Sequence, residues 1–335
     1  MPDPRKILST FSFNLPQVKF LKLCMWFFGP LIVICIILEM LTLNIPSNFK
    51  IIGSYLDTNK NNIEVLILGS SKLQSAINPE WIDRPAINLA SSSQHLTEDF
   101  SLMKGIIDRL PKLEYVIFEL SDLHLELPLR TDGKYWKNNI FLKYYGVNAF
   151  DRPTYFGDRL IFLSNASFFF YEVEDHYIRE NEVTELNKYG FDTNRYPGAF
   201  KTLDYDEKKI EDSNFLTISW EDPKVFKKNS AFVFKMLDYL KSKNKKVIIC
   251  TNPNYKAYLP KANHNAMHRR DSILDVAKER YSNVVIFDKE SDTLSYKVSD
   301  FKDTNHFNPD GAKVFTIQLN RLLDSLDQTS SNLPK

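Results

Sequence analysis

The chain has 335 residues but little cysteine and little glycine, with 3 and 10 residues respectively. Cys24 and Cys35 fall in an apolar N-terminal segment, so Cys250 has no obvious disulfide partner in the rest of the chain. A domain of this size does not need disulfides, and the cysteines therefore do not identify a compartment. Lys and Arg number 43 against 42 Asp and Glu, so no excess of charge favours a nucleic-acid partner.

Several familiar functional motifs are absent as well. The sequence has no Gly-rich phosphate loop, which argues against nucleotide chemistry, and no Gly-x-Ser-x-Gly turn of the usual α/β-hydrolases. His264 and His268 have the spacing of a zinc-binding helix, but Asn265 stands where the His-Glu-x-x-His motif has its glutamate. We therefore predict neither a cofactor nor a metal.

One long apolar run is present near the N-terminus. Between Leu23 and Ile45 the only charged residue is Glu39, and a helix needs only about 20 residues to cross a bilayer. Four basic residues precede the run: Arg5, Lys6, Lys19 and Lys22. The positive-inside bias then places residues 1–22 in the cytoplasm and everything after the run outside. The alternative, a cleaved signal peptide, has a shorter apolar core and a small-residue cleavage site, which residues 41–46 lack. We therefore predict an uncleaved, single-pass anchor at residues 23–45 in a bacterial cytoplasmic membrane.

Five short apolar runs are predicted as strands, at residues 64–68, 86–89, 115–120, 247–251 and 283–287. Helical patterns lie between and after them, at 97–110, 231–243, 262–280 and from Pro309 to about Leu326. Strands that alternate with helices and are apolar throughout predict an α/β fold with a parallel sheet. We expect this domain to span residues 63–326.

Three further segments are predicted outside the regular elements of this domain. Residues 46–62 are interpreted as a polar linker, and residues 327–335 as a loose tail. Residues 124–228 are rich in Tyr, Phe, Asn and Asp and break the alternation of strands and helices. We interpret them as a long, partly helical insertion that forms a lid or a substrate wall over the crevice.

A serine-containing turn follows the first predicted strand. Gly69 permits a sharp turn, and Ser70 and Ser71 follow it at the carboxyl end of the strand, where parallel sheets bind ligands. A serine in this position is either a nucleophile or an ordinary helix N-cap. Spacing alone does not choose between Ser70 and Ser71.

An aspartate and a histidine lie close together near the other end of the chain. Asp303 and His306 are three residues apart, just before the helix that begins at Pro309. A carboxylate can hold an imidazole in the tautomer that accepts a proton from serine, so Ser, His and Asp together form an acyl-transfer centre. Each of the two residues can also be an ordinary turn or surface residue.

The two segments together resemble the SGNH, or GDSL, hydrolase superfamily. Its opening motif, Gly-Asp-Ser, is matched by Gly69-Ser70-Ser71, and its closing motif, Asp-x-x-His, by Asp303 to His306. The resemblance implies a flavodoxin-like three-layer sandwich with a five-stranded parallel sheet of order 2-1-3-4-5. It also implies that Ser71 is the nucleophile, His306 the base and Asp303 the orienting acid.

The two middle motifs of the superfamily are altered. Its second motif contributes a glycine, which the matching stretch 88–93 lacks, and its third contributes an asparagine, which the matching stretch 119–122 lacks. Main-chain N–H groups can still stabilise an oxyanion, and we expect them from Ser71 and from residues 90–92. The full set of predicted oxyanion or substrate-binding residues is Ser70, Asn88, Ala90, Ser91, Ser92 and Asp122.

With these departures and the predicted anchor, the chain resembles a smaller group within the superfamily. It comprises the anchored proteins of teichoic-acid D-alanylation and of alginate acetylation, which work beside a membrane-bound O-acyltransferase. The resemblance implies a serine acyltransferase that modifies a cell-surface glycan outside the cytoplasm. Two alternatives stay open: a carbohydrate esterase of the same fold, and a non-catalytic partner of a membrane-bound O-acyltransferase.

Overall fold

The computed structural model describes residues 15–130, 135–181, 184–193, 197–213, 215, 217 and 221–331. Arg5 and Lys6, which entered the orientation argument, and residues 332–335 of the predicted tail lie outside the described residues. The chain divides into two compact units. The smaller comprises Met1–Ile45 and Leu160–Glu182, and the larger comprises Pro46–Arg159 and Val183–Lys335.

Within its described residues, the larger unit contains a five-stranded parallel sheet of order β2-β1-β3-β4-β5, as the sequence resemblance implied. The strands are β1 (Val65–Leu68), β2 (Ala86–Asn88), β3 (Tyr115–Glu119), β4 (Lys246–Thr251) and β5 (Val284–Asp288). Each lies within one residue of a predicted strand. All residues of β1, β2 and β3 are buried, which requires cover on both faces and explains why these strands are apolar runs.

The helices of the described chain, in order, are α1 (Leu15–Asn44), α2 (Asn48–Asn59), α3 (Ser71–Ala76), α4 (Leu96–Ile106), α5 (Asp122–Glu126), α6 (Lys137–Ile140), α7 (Ala166–Tyr177), α8 (Ala199–Thr202), α9 (Glu207–Glu211), α10 (Pro223–Ser242), α11 (His264–Arg280) and α12 (Pro309–Ser331). Single turns of 3₁₀ helix occur at Pro79–Trp81, Ile107–Arg109, Phe156–Arg159, Phe162–Ser164, Leu259–Lys261 and Val298–Asp300, and a π-helical turn at Phe141–Tyr145. Helices α1 and α7 belong to the smaller unit.

Two connecting segments differ from their predictions. Residues 46–62 are not an irregular linker, because most of them form α2, whose first turn is capped by the Ser47 side chain. Ile52 and Leu56 of α2 are buried, but only two apolar residues one turn apart give too weak a pattern to reveal a helix. The predicted loose tail is also partly helical, since α12 continues to Ser331.

The insertion is divided between the two units. Phe191, Phe200 and Ile210 join the hydrophobic core under the sheet of the larger unit, whereas residues 160–181 lie in the smaller unit. The lid interpretation is therefore wrong for Phe191, Phe200 and Ile210, which pack in the core. The aromatic rings of Phe191 and Phe200 serve core packing, which is the commoner use of such side chains.

The smaller unit is built on α1. One helix of the described chain, Pro16–Asn44, is long and apolar enough to cross a membrane. At 1.5 Å per residue a helix of this length extends about 45 Å, more than the roughly 30 Å of a hydrocarbon core. Helix α7 packs against α1 within this unit.

Candidate active site

The turn after β1 depends on Gly69. Its φ of +142° is rarely adopted by residues with a side chain, and a Cβ there would lie 2.9 Å from Cβ of Glu119 on the neighbouring strand β3. The absence of a side chain thus lets the turn pass close to β3. The chain then enters α3 at the carboxyl end of β1.

Ser70 is the N-cap of α3. Its Oγ accepts a hydrogen bond from the main-chain N–H of Lys72 at 3.2 Å and donates one to Oε2 of Glu119 at 2.6 Å. The Ser70 main-chain N–H donates to the same carboxylate oxygen at 3.0 Å. The side chain and the N–H of Ser70 are therefore both engaged in holding the turn.

Ser71 has a different environment. It is the first residue of α3, and its Oγ lies 2.8 Å from Nε2 of His306, 235 positions away in the chain. The main-chain N–H groups in the first turn of a helix have no acceptor within that helix, so the N–H of Ser71 is available to a ligand. The structure thus distinguishes the two serines that spacing alone did not.

The loop that carries His306 is fixed at both ends. Phe301 and Phe307 form an isolated antiparallel bridge, and both side chains are buried. Asn308 then caps α12, because its Oδ1 accepts hydrogen bonds from the N–H groups of Asp310 and Gly311 at 3.0 and 3.3 Å. This framework holds residues 302–306 at the start of α12.

Asp303 and His306 form a close pair within this loop. Nδ1 of His306 lies 2.9 and 3.0 Å from the two carboxylate oxygens of Asp303, which also accepts the N–H groups of Asn305 and His306 at 3.0 Å each. Burial alone would raise the pKa of Asp303, but the hydrogen bonds from His306 and the main chain lower it below its ordinary value of 3.8. The ionised carboxylate can only accept, so Nδ1 carries the proton and the Nε2 lone pair faces Ser71.

A serine after β1 and an Asp-x-x-His pair before the last helix therefore meet at one edge of a sheet of order 2-1-3-4-5. This strand order is the one that the resemblance to the SGNH, or GDSL, hydrolases implied. The positions of Ser71, His306 and Asp303 are those that the resemblance to this superfamily implied.

Comparisons with known proteins give weak similarities. Solved structures with a similar fold include a protein of Bacteroides fragilis described as an acylhydrolase (10% identity, 81% of this chain and 95% of that chain covered, TM-score 0.39). A GDSL-like lipase of Bacteroides thetaiotaomicron is 9% identical, with 82% and 98% covered and a TM-score of 0.38. No family model and no curated protein sequence matches the chain. TM-scores this low carry no inference about activity, which has to come from the side chains themselves.

Ser71 and His306 open into a cavity of about 290 Å³. Its walls come from the segments that follow β1, β2 and β3 and from the loop before α12, in accord with ligand binding at the carboxyl ends of parallel strands. Three residues from the start of the insertion, His124, Leu127 and Arg130, also line the cavity.

Most of the predicted oxyanion donors are engaged elsewhere. The N–H of Ala90 donates to Oδ1 of Asn88 at 3.0 Å, and the N–H of Ser91 donates to the Gly69 carbonyl at 3.0 Å. The Asn88 amide in turn donates to the carbonyls of Leu73 and Ile77, at 3.0 and 2.9 Å. These three residues therefore join β2 to the turn and to α3, and their donors do not reach the cavity.

The remaining predicted residues also make local contacts. Ser91 Oγ accepts a hydrogen bond from Nζ of Lys137 at 2.6 Å, and Ser92 Oγ donates to Gln74 at 3.4 Å. A carboxylate oxygen of Asp122, the first residue of α5, accepts the Leu123 N–H at 2.9 Å. None of Ser91, Ser92 and Asp122 is among the residues that line the cavity.

Two buried histidines, His95 and His124, lie in the cavity wall. In His124, Nδ1 accepts the main-chain N–H of Ser121 at 3.2 Å and lies 2.8 Å from its Oγ, so the neutral ring carries its proton on Nε2. Burial is the main cause that lowers the pKa of His124, and burial likewise lowers that of His95 to about 3. Both imidazoles are therefore neutral at physiological pH. The signal in the sequence was only that both follow the carboxyl end of a predicted strand.

Glu119 carries a buried charge beneath the serine turn. Burial alone would raise its pKa, but the positive charge of Lys72 and the two hydrogen bonds from Ser70 lower it below its ordinary value. The ionised carboxylate explains why both Ser70 donors are drawn to it. Lys72, the residue after Ser71, is itself buried and lines the cavity.

Proposed function

We propose that the protein is a membrane-anchored serine acyltransferase that O-acylates a cell-surface polysaccharide outside the cytoplasm. The observation that carries the catalytic part is the chain of contacts from Ser71 Oγ to His306 Nε2 and from His306 Nδ1 to Asp303. A neutral imidazole held by an ionised carboxylate is the arrangement that activates a serine hydroxyl.

In the first half-reaction, His306 Nε2 takes the Ser71 proton while Oγ forms a bond to the acyl carbonyl carbon of an ester or thioester donor. The tetrahedral intermediate then collapses, and the leaving oxygen or sulfur takes the proton from His306. An acyl-serine remains. In the second half-reaction, a sugar hydroxyl gives its proton to His306 and attacks the acyl carbon. The second tetrahedral intermediate collapses with cleavage of the bond to Oγ, and Ser71 takes the proton from His306.

The intermediate needs donors for its negatively charged oxygen. The Ser71 N–H supplies one, because it stands at the start of α3 and beside the reacting hydroxyl. We propose Nε2–H of His124 as a second. It belongs to a neutral ring in the wall of the same cavity, and the other ring nitrogen, Nδ1, is held by Ser121.

The proposal that the reaction takes place outside the cytoplasm rests on α1. The apolar run of α1 follows Lys19 and Lys22 in the first turns of the helix, and Arg5 and Lys6 precede the helix in the sequence; this charge pattern favours a single span whose N-terminal end stays in the cytoplasm. The larger unit, which follows α1 in the chain, would then lie outside, where polysaccharides of the envelope and a membrane-bound O-acyltransferase are accessible.

The acceptor decides between transferase and esterase, and it can be tested directly. The full-length protein in nanodiscs is given an activated acetyl ester, with and without a polysaccharide acceptor. If the protein is a transferase, its acetyl-serine hydrolyses slowly in water alone. The glycan then removes the acetyl group quickly, and acetyl groups are recovered on the sugar. Rapid hydrolysis that the glycan does not alter would instead indicate a carbohydrate esterase.

A non-catalytic assembly partner is the remaining alternative. It predicts that the protein forms no acetyl-serine with any activated ester, yet co-purifies with a membrane-bound O-acyltransferase. The absence of acetyl-serine in the wild-type protein, together with such a complex, would replace the proposal above.

A further inference from the structure

The part of the insertion that belongs to the smaller unit packs near the C-terminal end of α1. Phe169 and Val173 of α7 are buried in this unit. The Tyr177 hydroxyl donates to the carbonyl of Leu41 at 3.2 Å. This contact attaches the C-terminal end of the segment 160–177 to the last turns of α1, and Glu39 attaches the other end.

Glu39 forms the second attachment. It is the only charged residue of the apolar run, and its two carboxylate oxygens accept the main-chain N–H groups of Ile161 and Phe162 at 2.8 Å each. A carboxylate near a bilayer is costly unless it is paired, and here both oxygens have donors. The turn before α7 is therefore held at the level of Glu39, five residues before α1 ends at Asn44.

The two halves of α7 differ in the polarity of their side chains. Its first six residues, 166–171, carry no charge and expose three aromatic rings: Phe168 at 38%, Phe170 at 52% and Tyr171 at 61%. Its second half is acidic, and Glu174 and Asp175 form ion pairs with Arg179 at 2.9 and 3.3 Å. Leu163, in the turn before the helix, is also exposed.

We propose that α7 is an interfacial helix whose aromatic half lies in the headgroup and acyl boundary of the outer leaflet, beside the end of α1. The occupant of the exposed face is phospholipid, because α7 packs against α1 in the same compact unit and the apolar side chains of α1 are themselves exposed along the helix. Aromatic rings are enriched at this depth in membranes, and helices with a charged remainder lie along it. The proposal rests on the membrane anchoring proposed above.

The inference gives the insertion a second role. The exposed side chains of Leu163, Phe168, Phe170 and Tyr171 would be a liability in water, and a bilayer removes them from it. The acidic half of α7 stays hydrated. The smaller unit would then contact the membrane through two elements instead of one, with Glu39 as the link between them.

Site-directed fluorescence tests the proposal on the full-length chain. Cys24, Cys35 and Cys250 are replaced by alanine, and single cysteines are introduced by Phe170→Cys, Asn181→Cys and Val33→Cys. Each is labelled with bimane in nanodiscs of phosphatidylcholine and phosphatidylglycerol. Quenching is measured with nitroxide-labelled lipid and with aqueous iodide. Asn181, exposed beyond the charged end of α7, is the aqueous control, and Val33, exposed on α1, is the lipid control.

The proposal predicts that bimane at position 170 is quenched by the nitroxide lipid and emits at shorter wavelength than at position 181, which iodide quenches. Equal iodide quenching at 170 and 181 would overturn it. Protection of position 170 from both quenchers would also overturn it, since a protein partner would then cover the face. If position 33 itself escapes the lipid quencher, the anchoring proposal fails, and this outcome is distinct from failure at 170 alone.

Discussion

The Ser70 hydroxyl donates a hydrogen bond of 2.6 Å to the buried carboxylate of Glu119, and this contact separates the two adjacent serines by role. Ser70 holds the turn after β1 to β3, whereas Ser71, one position later, faces His306 at 2.8 Å. Of the two adjacent serines, Ser70 therefore stabilises the turn, and Ser71 is positioned to act as a nucleophile.

The Ser70→Ala variant is expected to lose stability and to keep acyl-transfer activity. The substitution removes the N-cap of α3 and leaves a buried carboxylate with one donor fewer, which costs about 1–3 kcal/mol in the free energy of unfolding. Denaturant unfolding and ester cleavage are measured on the same preparation. Ser54→Ala, which removes an exposed hydroxyl from α2, is the control and changes neither. Full stability with abolished activity in Ser70→Ala would assign the nucleophile to Ser70.

The Asp303→Asn variant is expected to lower kcat by about 10⁴-fold while the protein stays folded. The amide has the shape of the carboxylate but lacks its charge, and it can donate to Nδ1, which favours the tautomer with its proton on the wrong nitrogen. Steady-state cleavage of an activated ester measures the effect. Asp310→Asn, at an exposed site in the first turn of α12, serves as a charge-matched control. Equal rates in the two variants would remove Asp303 from the mechanism.

His95 is expected to make the protein less stable as the pH falls below neutral. Burial lowers its pKa from 6.5 to about 3, so between these values the unfolded chain binds a proton that the folded chain does not. The free energy of unfolding keeps its full contribution from His95 above pH 6.5. This contribution declines as the pH falls towards 3, by about 1.4 kcal/mol per pH unit for one proton. Unfolding by urea at several pH values should give a shallower slope for His95→Gln than for the wild type. An unchanged slope would show that His95 is protonated in the folded protein.

His124 is expected to affect catalysis through kcat. If Nε2–H binds the oxyanion, His124→Ala lowers kcat by about 10²–10³-fold with little change in KM, whereas His124→Gln, which retains an N–H donor, recovers part of the loss. Because His124 also contacts Ser121 at the start of α5, thermal unfolding of each variant provides the control for a structural effect. A parallel loss in both variants, tracking their stability, would reduce His124 to a structural residue.

The sheet was predictable because apolar runs such as 65–68 and 115–119 signal buried strands directly, and the order of strands followed from the motif resemblance. The meeting of Ser71 and His306 was predictable for the same reason. Helix α2 was missed because only Ile52 and Leu56 mark its buried face. The division of the insertion was also missed, since aromatic composition does not reveal which element a ring packs against.

The oxyanion donors show a further limit of sequence reasoning. Ala90 and Ser91 have suitable N–H groups, but the register of β2 against β1 brings Asn88 and the Gly69 carbonyl within reach of them first. Conversely, nothing local marks His124 as a donor. Its tautomer depends on Ser121, and its access to the cavity depends on β1 and β3 being neighbours. Such features emerge only when the pairing of the strands is known.

Labelling with a fluorophosphonate probe tests whether His306 activates Ser71. The wild-type protein is expected to form one covalent adduct, located on Ser71 by mass spectrometry, and His306→Ala should slow its formation by orders of magnitude. Ser71→Ala should abolish it, while Ser70→Ala should retain it. A wild-type protein that forms no adduct, or forms it on another residue or at a rate independent of His306, would contradict the account.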